Sequence, residues 1–181
     1  AQRGIGAGFE SVLFTDVRNI EEVRECITAA LPDHPDHRGT YGVATRRNSY
    51  MGYGGTQEYV DSVADTVLAF MIEKKGAVDN LEQILSEERV EMVQWGGADF
   101  SMNIGQPRNM THPEVIAAKK KTFEVAVNMG VPPRAEIESA DETKEYLDMG
   151  VRHFSVGTDI TILHGYWKRE GEQVLRALEG E

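Results

Sequence analysis

The stretch from Met71 to Gly105, MIEKKGAVDNLEQILSEERVEMVQWGGADFSMNIG, constrains the fold more than any other part of the chain. An apolar run, Val67 to Ile72, ends at Glu73, and a second, Met92 to Trp95, ends in Gly96-Gly97-Ala98-Asp99. Between them, Val78, Leu81 and Leu85 fall on one face of a helix, with Glu82, Gln83 and Glu87 outside. Two short β-like runs joined by an amphipathic helix make a βαβ unit, whose strands are parallel. Their C-terminal ends share one edge of the sheet, and neighbouring strands lie about 4.8 Å apart. Glu73 and Asp99 are therefore expected to face one small volume. Taken singly, each carboxylate reads as a helix cap or a solvated group. Together they repel unless a proton or a cation lies between them. Oxygen ligands suit a hard divalent ion such as magnesium, manganese or calcium. The adjacent glycines let the backbone approach a ligand and present N–H groups to an anionic oxygen.

The pattern I-E-x-x-x-A-V-D-N-L-x-x-I-L, followed by G-G-A-D-F-S-x-x-I-G and a closing F-S-V-G-T-D, resembles the HpcH/HpaI aldolase family, also called the citrate lyase beta family. The resemblance extends over the whole chain. It implies a (β/α)8 TIM barrel and a class II aldolase chemistry, in which a divalent cation (Mg2+, Mn2+ or Co2+) stabilises a pyruvate enolate. It implies that Glu73 and Asp99 are the metal ligands. It also implies that backbone N–H groups around Gly97, Ala98 and Asp99 hold the carboxylate of a 2-oxo acid. In the family the catalytic base is a histidine and its helper an arginine, both from early strands, and no residue of this chain is assigned either role. One position departs: relatives acting on sugar acids often carry Gln two residues before the Glu, where this chain has Met71.

At 181 residues the chain is long enough for one domain with a sizeable core. A TIM barrel takes about 250 residues, and only five strand candidates are apparent. Residues 1–181 are accordingly expected to be the C-terminal portion of one barrel domain, its last five βα units. An open doubly wound sheet is the fallback.

The formal net charge of -11 argues against a nucleic-acid or anionic-membrane surface. No apolar run approaches the roughly 20 residues of a membrane span, and the N-terminus lacks a signal-peptide pattern. One cysteine, Cys26, excludes an intrachain disulfide and points to a reducing cytoplasm and a structural thiol. No G-x-G-x-x-G or Walker A motif is present, so nucleotide binding is not indicated.

Along the chain, Ser11–Phe14 reads as a strand. A helix with Ile20, Val23, Ile27 and Leu31 in phase begins at Asn19, with Glu22 in capping-box position. Asp33–Arg38 is a polar loop whose His34 and His37 fit no structural zinc spacing. Gly39–Gly55, with Arg46, Arg47, Tyr41, Tyr50 and Tyr53, is either a lid, a subunit contact or plain surface. A short helix, Gln57–Asp65, precedes the Val67 strand. Lys74 and Lys75 are expected in solvent, since nothing apolar nearby would activate a Schiff-base lysine. Ser101–Met110 reads as a loop, His112 as a cap residue before Pro113, and Lys119-Lys120-Lys121 as a wet helix face. Val131–Ile137 and His153–Gly157 are the remaining strands, separated by a helix with a Ser139/Glu142 capping box that ends at Gly150. His153 lies at the wrong end of its strand for the chemistry. The tail, Thr161–Leu178, is amphipathic, and the aromatics Tyr166 and Trp167 suggest docking on its own barrel or on a neighbour.

The function expected from these residues and the resemblance is a metal-dependent carbon–carbon lyase acting on hydroxy-2-oxo acids, with pyruvate and an aldehyde as the small-molecule partners, in a homo-oligomer. The alternatives are a citrate-lyase-like acyl-CoA lyase, which needs a basic phosphate-binding patch, and an inactive barrel fragment with a structural role.

Overall fold

The computed structural model describes residues 1–43 and 54–180. Arg46, Arg47, Tyr50 and Tyr53 of the glycine-rich segment lie outside the described residues. The chain opens with α1 (Gln2–Ala7), then β1 (Ser11–Phe14), α2 (Ile20–Ala30) and α3 (Gln57–Ala64). Next come β2 (Val67–Ile72), α4 (Lys75–Asp79), α5 (Leu81–Leu85), β3 (Met92–Trp95), α6 (Gly97–Asn103) and α7 (Pro113–Met129). It closes with β4 (Pro133–Ile137), a 3-10 turn at Ala140–Glu142, α8 (Thr143–Asp148), β5 (His153–Val156) and α9 (Asp159–Glu179).

The strands form one five-stranded sheet in the order β1-β2-β3-β4-β5, and every pairing is parallel. Sequential order with helical crossovers is an α/β architecture, as the repeated strand–helix pattern predicts. Register follows hydrophobic alternation. Leu68, Phe70 and Ile72 of β2, Val93 and Trp95 of β3, and Ala135 and Ile137 of β4 are buried. They join Val23, Ile27, Leu81, Ile84, Phe123 and Ala126 of the helices in a single cluster. Phe70 is fully buried and stacks on Phe14 with ring centroids 5.2 Å apart. The intervening residues Met71, Gln94, Arg134 and His153 lie in one row across β2 to β5. In that row Gln94 is buried and accepts from Arg134 Nε at 2.6 Å.

Local signals explain the helix ends. The Asn19 side chain accepts the Glu22 N–H at 2.9 Å, while the Glu22 carboxylate reaches the Arg18 N–H at 2.6 Å. The capping box is thus displaced by one residue. His112 caps α7 through Nδ1, which accepts the Glu114 N–H, and Pro113 follows at the first turn. The Ser139/Glu142 capping box forms as expected.

Several expectations are corrected. The single helix expected through Val78, Leu81 and Leu85 is two short helices, α4 and α5, because Asn80 bonds its side chain to the Gly76 carbonyl at 2.8 Å and leaves the helical backbone. The loop expected from Ser101 is helical as far as Asn103. Only Lys120 of the lysine run is a wet-face residue. Lys119 pairs with Glu145 at 2.7 Å and covers the Tyr146 ring, and Lys121 donates to the Val78 carbonyl at 2.7 Å. No residue of α9 is buried, and its aromatics Tyr166 and Trp167 are left exposed beside this sheet.

Candidate active site

The C-terminal edge of the sheet brings three acidic residues together. Asp16 lies two positions past β1, Glu73 one past β2, and Asp99 in the first turn of α6, which follows β3. Parallel strands deliver their ends to one edge, which is why residues so distant in sequence converge.

Glu73 is the centre of this group. It is buried, with 2% of its surface exposed. Its Oε1 accepts the Asp16 N–H at 2.7 Å. Asp16 achieves this by a left-handed backbone, φ 66°, a conformation that aspartate tolerates better than most residues. Burial pushes the Glu73 carboxyl above its ordinary value, the Asp16 N–H opposes that shift, and the charge of Asp99 adds to it.

Gly96 is what lets β3 pass so close. A Cβ at Gly96 would stand 2.6 Å from Glu73 Cβ, 2.8 Å from Glu73 Oε2 and 2.9 Å from Met71 Sδ. Gly97 faces the other way, where a Cβ would meet Met110 Cε at 2.5 Å and Trp95 Nε1 at 2.8 Å. The first intrahelical bond of α6 runs from the Phe100 N–H to the Gly96 carbonyl at 3.0 Å. The N–H groups of Gly97, Ala98 and Asp99 therefore sit ahead of the helical ladder, the arrangement that leaves donors for a ligand oxygen.

Lys74 is a correction. It was expected in solvent beside Lys75, but it is buried, with its Nζ 2.7 Å from Asp16 Oδ1 and 3.7 Å from Asp99 Oδ1. The strand ends at Ile72, so two-residue alternation no longer directs the side chain at Lys74. Lys75 is the solvated one, pairing with Asp79 at 3.0 Å on the surface. The hydrogen bond to Asp16 holds the Lys74 ammonium above its usual range and, reciprocally, holds the Asp16 carboxyl below its own.

Two members of the cluster, Asp16 and Lys74, are not among the residues expected at the site. The signal was present for Asp16, which follows a strand end just as Glu73 and Asp99 do. No sequence signal marks Lys74, whose partner is 58 positions away and approaches only when β1 and β2 pair. A cavity of about 230 Å³ is lined by Trp95, Gly97, Ala98, Met110, Glu136 and Tyr146 among others, and by none of Asp16, Glu73, Lys74 or Asp99. Among the described residues, no three His, Cys, Asp or Glu side chains are arranged to hold a metal ion. Glu73 and Asp99 nonetheless fit a cation such as Mg2+, which takes one or two protein carboxylates and fills its other positions with water or substrate oxygen.

A parallel sheet with helical crossovers and acidic side chains at its C-terminal edge defines the class: an α/β fold, consistent with part of a (β/α) barrel, carrying its polar site where such folds build theirs. The chain matches the HpcH/HpaI aldolase/citrate lyase family model over residues 2–164, and it belongs to that family. It is 30% identical over 160 residues to a 4-hydroxy-2-oxo-heptane-1,7-dioate aldolase of Escherichia coli, covering 88% of this chain and 60% of that protein. The Klebsiella pneumoniae protein of the same name is 29% identical, over 88% of this chain and 59% of its own. The chain thus spans about 60% of the length of the curated relatives it matches. In fold it is similar to the HpcH/HpaI aldolase of Desulfitobacterium hafniense (TM-score 0.78, 23% identity, 97% of this chain and 67% of that one). It is also similar to an aldolase/citrate lyase family protein of Burkholderia cenocepacia (TM-score 0.82, 21% identity, 97% and 68%).

Proposed function

We propose that this chain is part of a metal-dependent carbon–carbon lyase that forms or cleaves hydroxy-2-oxo acids. The observation that carries the reading is the Glu73–Asp99 pair at the sheet edge, with the buried carboxyl of Glu73 oriented by the Asp16 N–H and flanked by Gly96. Family membership and the aldolase names of the relatives support it.

In this reading Glu73 and Asp99 hold a divalent cation. When bound, it supplies positive charge to the oxygens of an enolate. The Asp16 N–H keeps Glu73 turned toward the cluster. Gly96 keeps the approach open, since any side chain there would collide with Glu73. The N–H groups of Gly97, Ala98 and Asp99 take the carboxylate of a 2-oxo acid such as pyruvate, and an aldehyde is the second substrate.

The five βα units are read as the last five of an eight-stranded barrel, with residues 1–181 its C-terminal portion. A proton must still move, and the histidine base and arginine that serve the family are assigned to strands preceding β1. α9 is assigned to subunit contact in a homo-oligomer, because its Ile160, Ile162, Tyr166, Trp167, Val174 and Leu178 are all exposed. A cytoplasmic setting agrees with the single cysteine.

The test is to add pyruvate and a panel of aldehydes to Mn2+-loaded protein that includes the strands assigned to carry the base, and to follow hydroxy-2-oxo acid formation by mass spectrometry. Product that requires both pyruvate and metal supports the reading. Its absence, with no cleavage of a hydroxy-2-oxo acid either, overturns it.

A further inference from the structure

We infer that Lys74 competes with the divalent cation for Asp99, and that Asp16 decides the contest by holding the Lys74 ammonium to one side. The inference rests on the assignment of Glu73 and Asp99 as cation ligands.

The geometry is asymmetric. The Lys74 side chain is only 8% exposed, so its ammonium must find its partners within the cluster. Its Nζ makes a hydrogen bond to Asp16 Oδ1 at 2.7 Å but stands 3.7 Å from Asp99 Oδ1. The first distance is a short charge-assisted bond; the second is electrostatic contact without one. Lys74 is therefore tethered to Asp16 and leans on Asp99.

Charge counting gives the consequence. Asp16, Glu73 and Asp99 are three carboxylates around one ammonium, a formal surplus of two negative charges that one divalent cation would neutralise. A cation on Asp99 repels the Lys74 ammonium and drives it fully onto Asp16. Removing the lysine charge removes that repulsion and leaves Asp99 free. Charges a few ångströms apart near a protein surface interact strongly enough to move a binding constant by an order of magnitude.

Asp16 is well placed to restrain the lysine. Its backbone is fixed from both sides, by its own N–H to Glu73 Oε1 at 2.7 Å and by Arg18 Nη1 to its carbonyl at 3.1 Å. The hydrogen bond that orients one cation ligand thus also positions the carboxylate that keeps the competing ammonium away from the other.

The experiment is a Mn2+ titration by calorimetry on the full chain, with Glu73→Gln as the control for the underlying site. Lys74→Met is expected to bind Mn2+ at least about tenfold more tightly than the wild type. Lys74→Gln, which keeps a donor for Asp16, is expected to shift in the same direction and serves if the Met variant does not fold. Asp16→Asn is expected to weaken binding several-fold in the wild-type background and to have a much smaller effect beside Lys74→Met, a non-additivity that direct contact between the two side chains requires. The inference is overturned if wild-type protein binds Mn2+ through Glu73 while the Lys74 variants bind with unchanged or weaker affinity. It is equally overturned if Asp16→Asn has the same effect in both backgrounds. Wild-type protein that binds no Mn2+, or whose binding survives Glu73→Gln, overturns the cation-ligand assignment and this inference with it.

Discussion

The backbone N–H of Asp16 donates to Glu73 Oε1 at 2.7 Å across 57 positions of sequence, and this bond joins β1 to β2 at the edge where the polar residues gather. It stabilises the ionised carboxylate but does not outweigh the cost of burial, so Glu73 holds its proton more tightly folded than unfolded. The sign of the pH dependence follows. The stability that Glu73 contributes is fully present below its unfolded value of 4.5 and is lost as pH rises through the higher folded value. As pH rises above 4.5, the ionised form of Glu73 becomes progressively less favourable in the metal-free fold than in the unfolded chain. Glu73→Gln keeps a carbonyl for the Asp16 N–H and removes that charge. Scanning calorimetry on chelator-treated protein should show a higher Tm for the variant at neutral pH and a flatter Tm–pH curve above 4.5. A lower Tm at neutral pH would mean that the ionised form is favoured in the fold.

The two glycines of the Gly96-Gly97 pair should respond differently to a side chain. Gly96→Val drives a Cβ to 2.6 Å from Glu73 Cβ, and should cost roughly 1–3 kcal/mol of stability by overpacking and displace the carboxylate. Mn2+ affinity should fall with it. Gly97→Val presses instead on Met110 and Trp95 at the head of α6. It should weaken binding of the pyruvate analogue oxamate and leave Mn2+ affinity largely intact. Calorimetry of both ligands on both variants separates the two roles, and equal oxamate affinity in wild type and Gly97→Val would count against the α6 N–H groups as the carboxylate site.

α9 is a 21-residue helix, about 32 Å long, with no buried side chain. Tyr166 and Trp167 are 53% and 65% exposed, an arrangement that suits a contact with another chain better than solvent. Tyr166→Ala with Trp167→Ala should lower the mass measured by light scattering to that of a smaller assembly. An unchanged mass would assign these rings another role.

Much of the fold and half of the polar cluster can be read from sequence, for identifiable reasons. The apolar runs of β2 and β3 stop at Glu73 and at Gly96, and that of β1 stops at Thr15, so the strand limits and the convergence of Glu73 and Asp99 at one edge follow from apolar patterning and parallel geometry. His112 and the Ser139/Glu142 pair are visible because capping acts over two or three residues. The break at Asn80 is less visible, since Val78, Leu81 and Leu85 stay in helical phase across it while the Asn80 side chain takes the Gly76 carbonyl. Lys74 is illegible for a different reason. Its burial depends on Asp16 arriving from β1, and nothing in its own neighbourhood encodes that. Gly96 and Gly97 are equivalent as letters, and only the packing of β3 against Glu73 assigns the close approach to Gly96.

The central claim is that Glu73 and Asp99 form a divalent cation site, and electron paramagnetic resonance of Mn2+ tests it most directly, because bound Mn2+ loses the signal of the free aqueous ion. Titrating the protein into Mn2+ should remove one equivalent of free signal per chain. The same titration with Glu73→Gln or Asp99→Asn, each shown by circular dichroism to be folded, should leave the free signal essentially unchanged. Retention of wild-type binding by both variants would contradict the account.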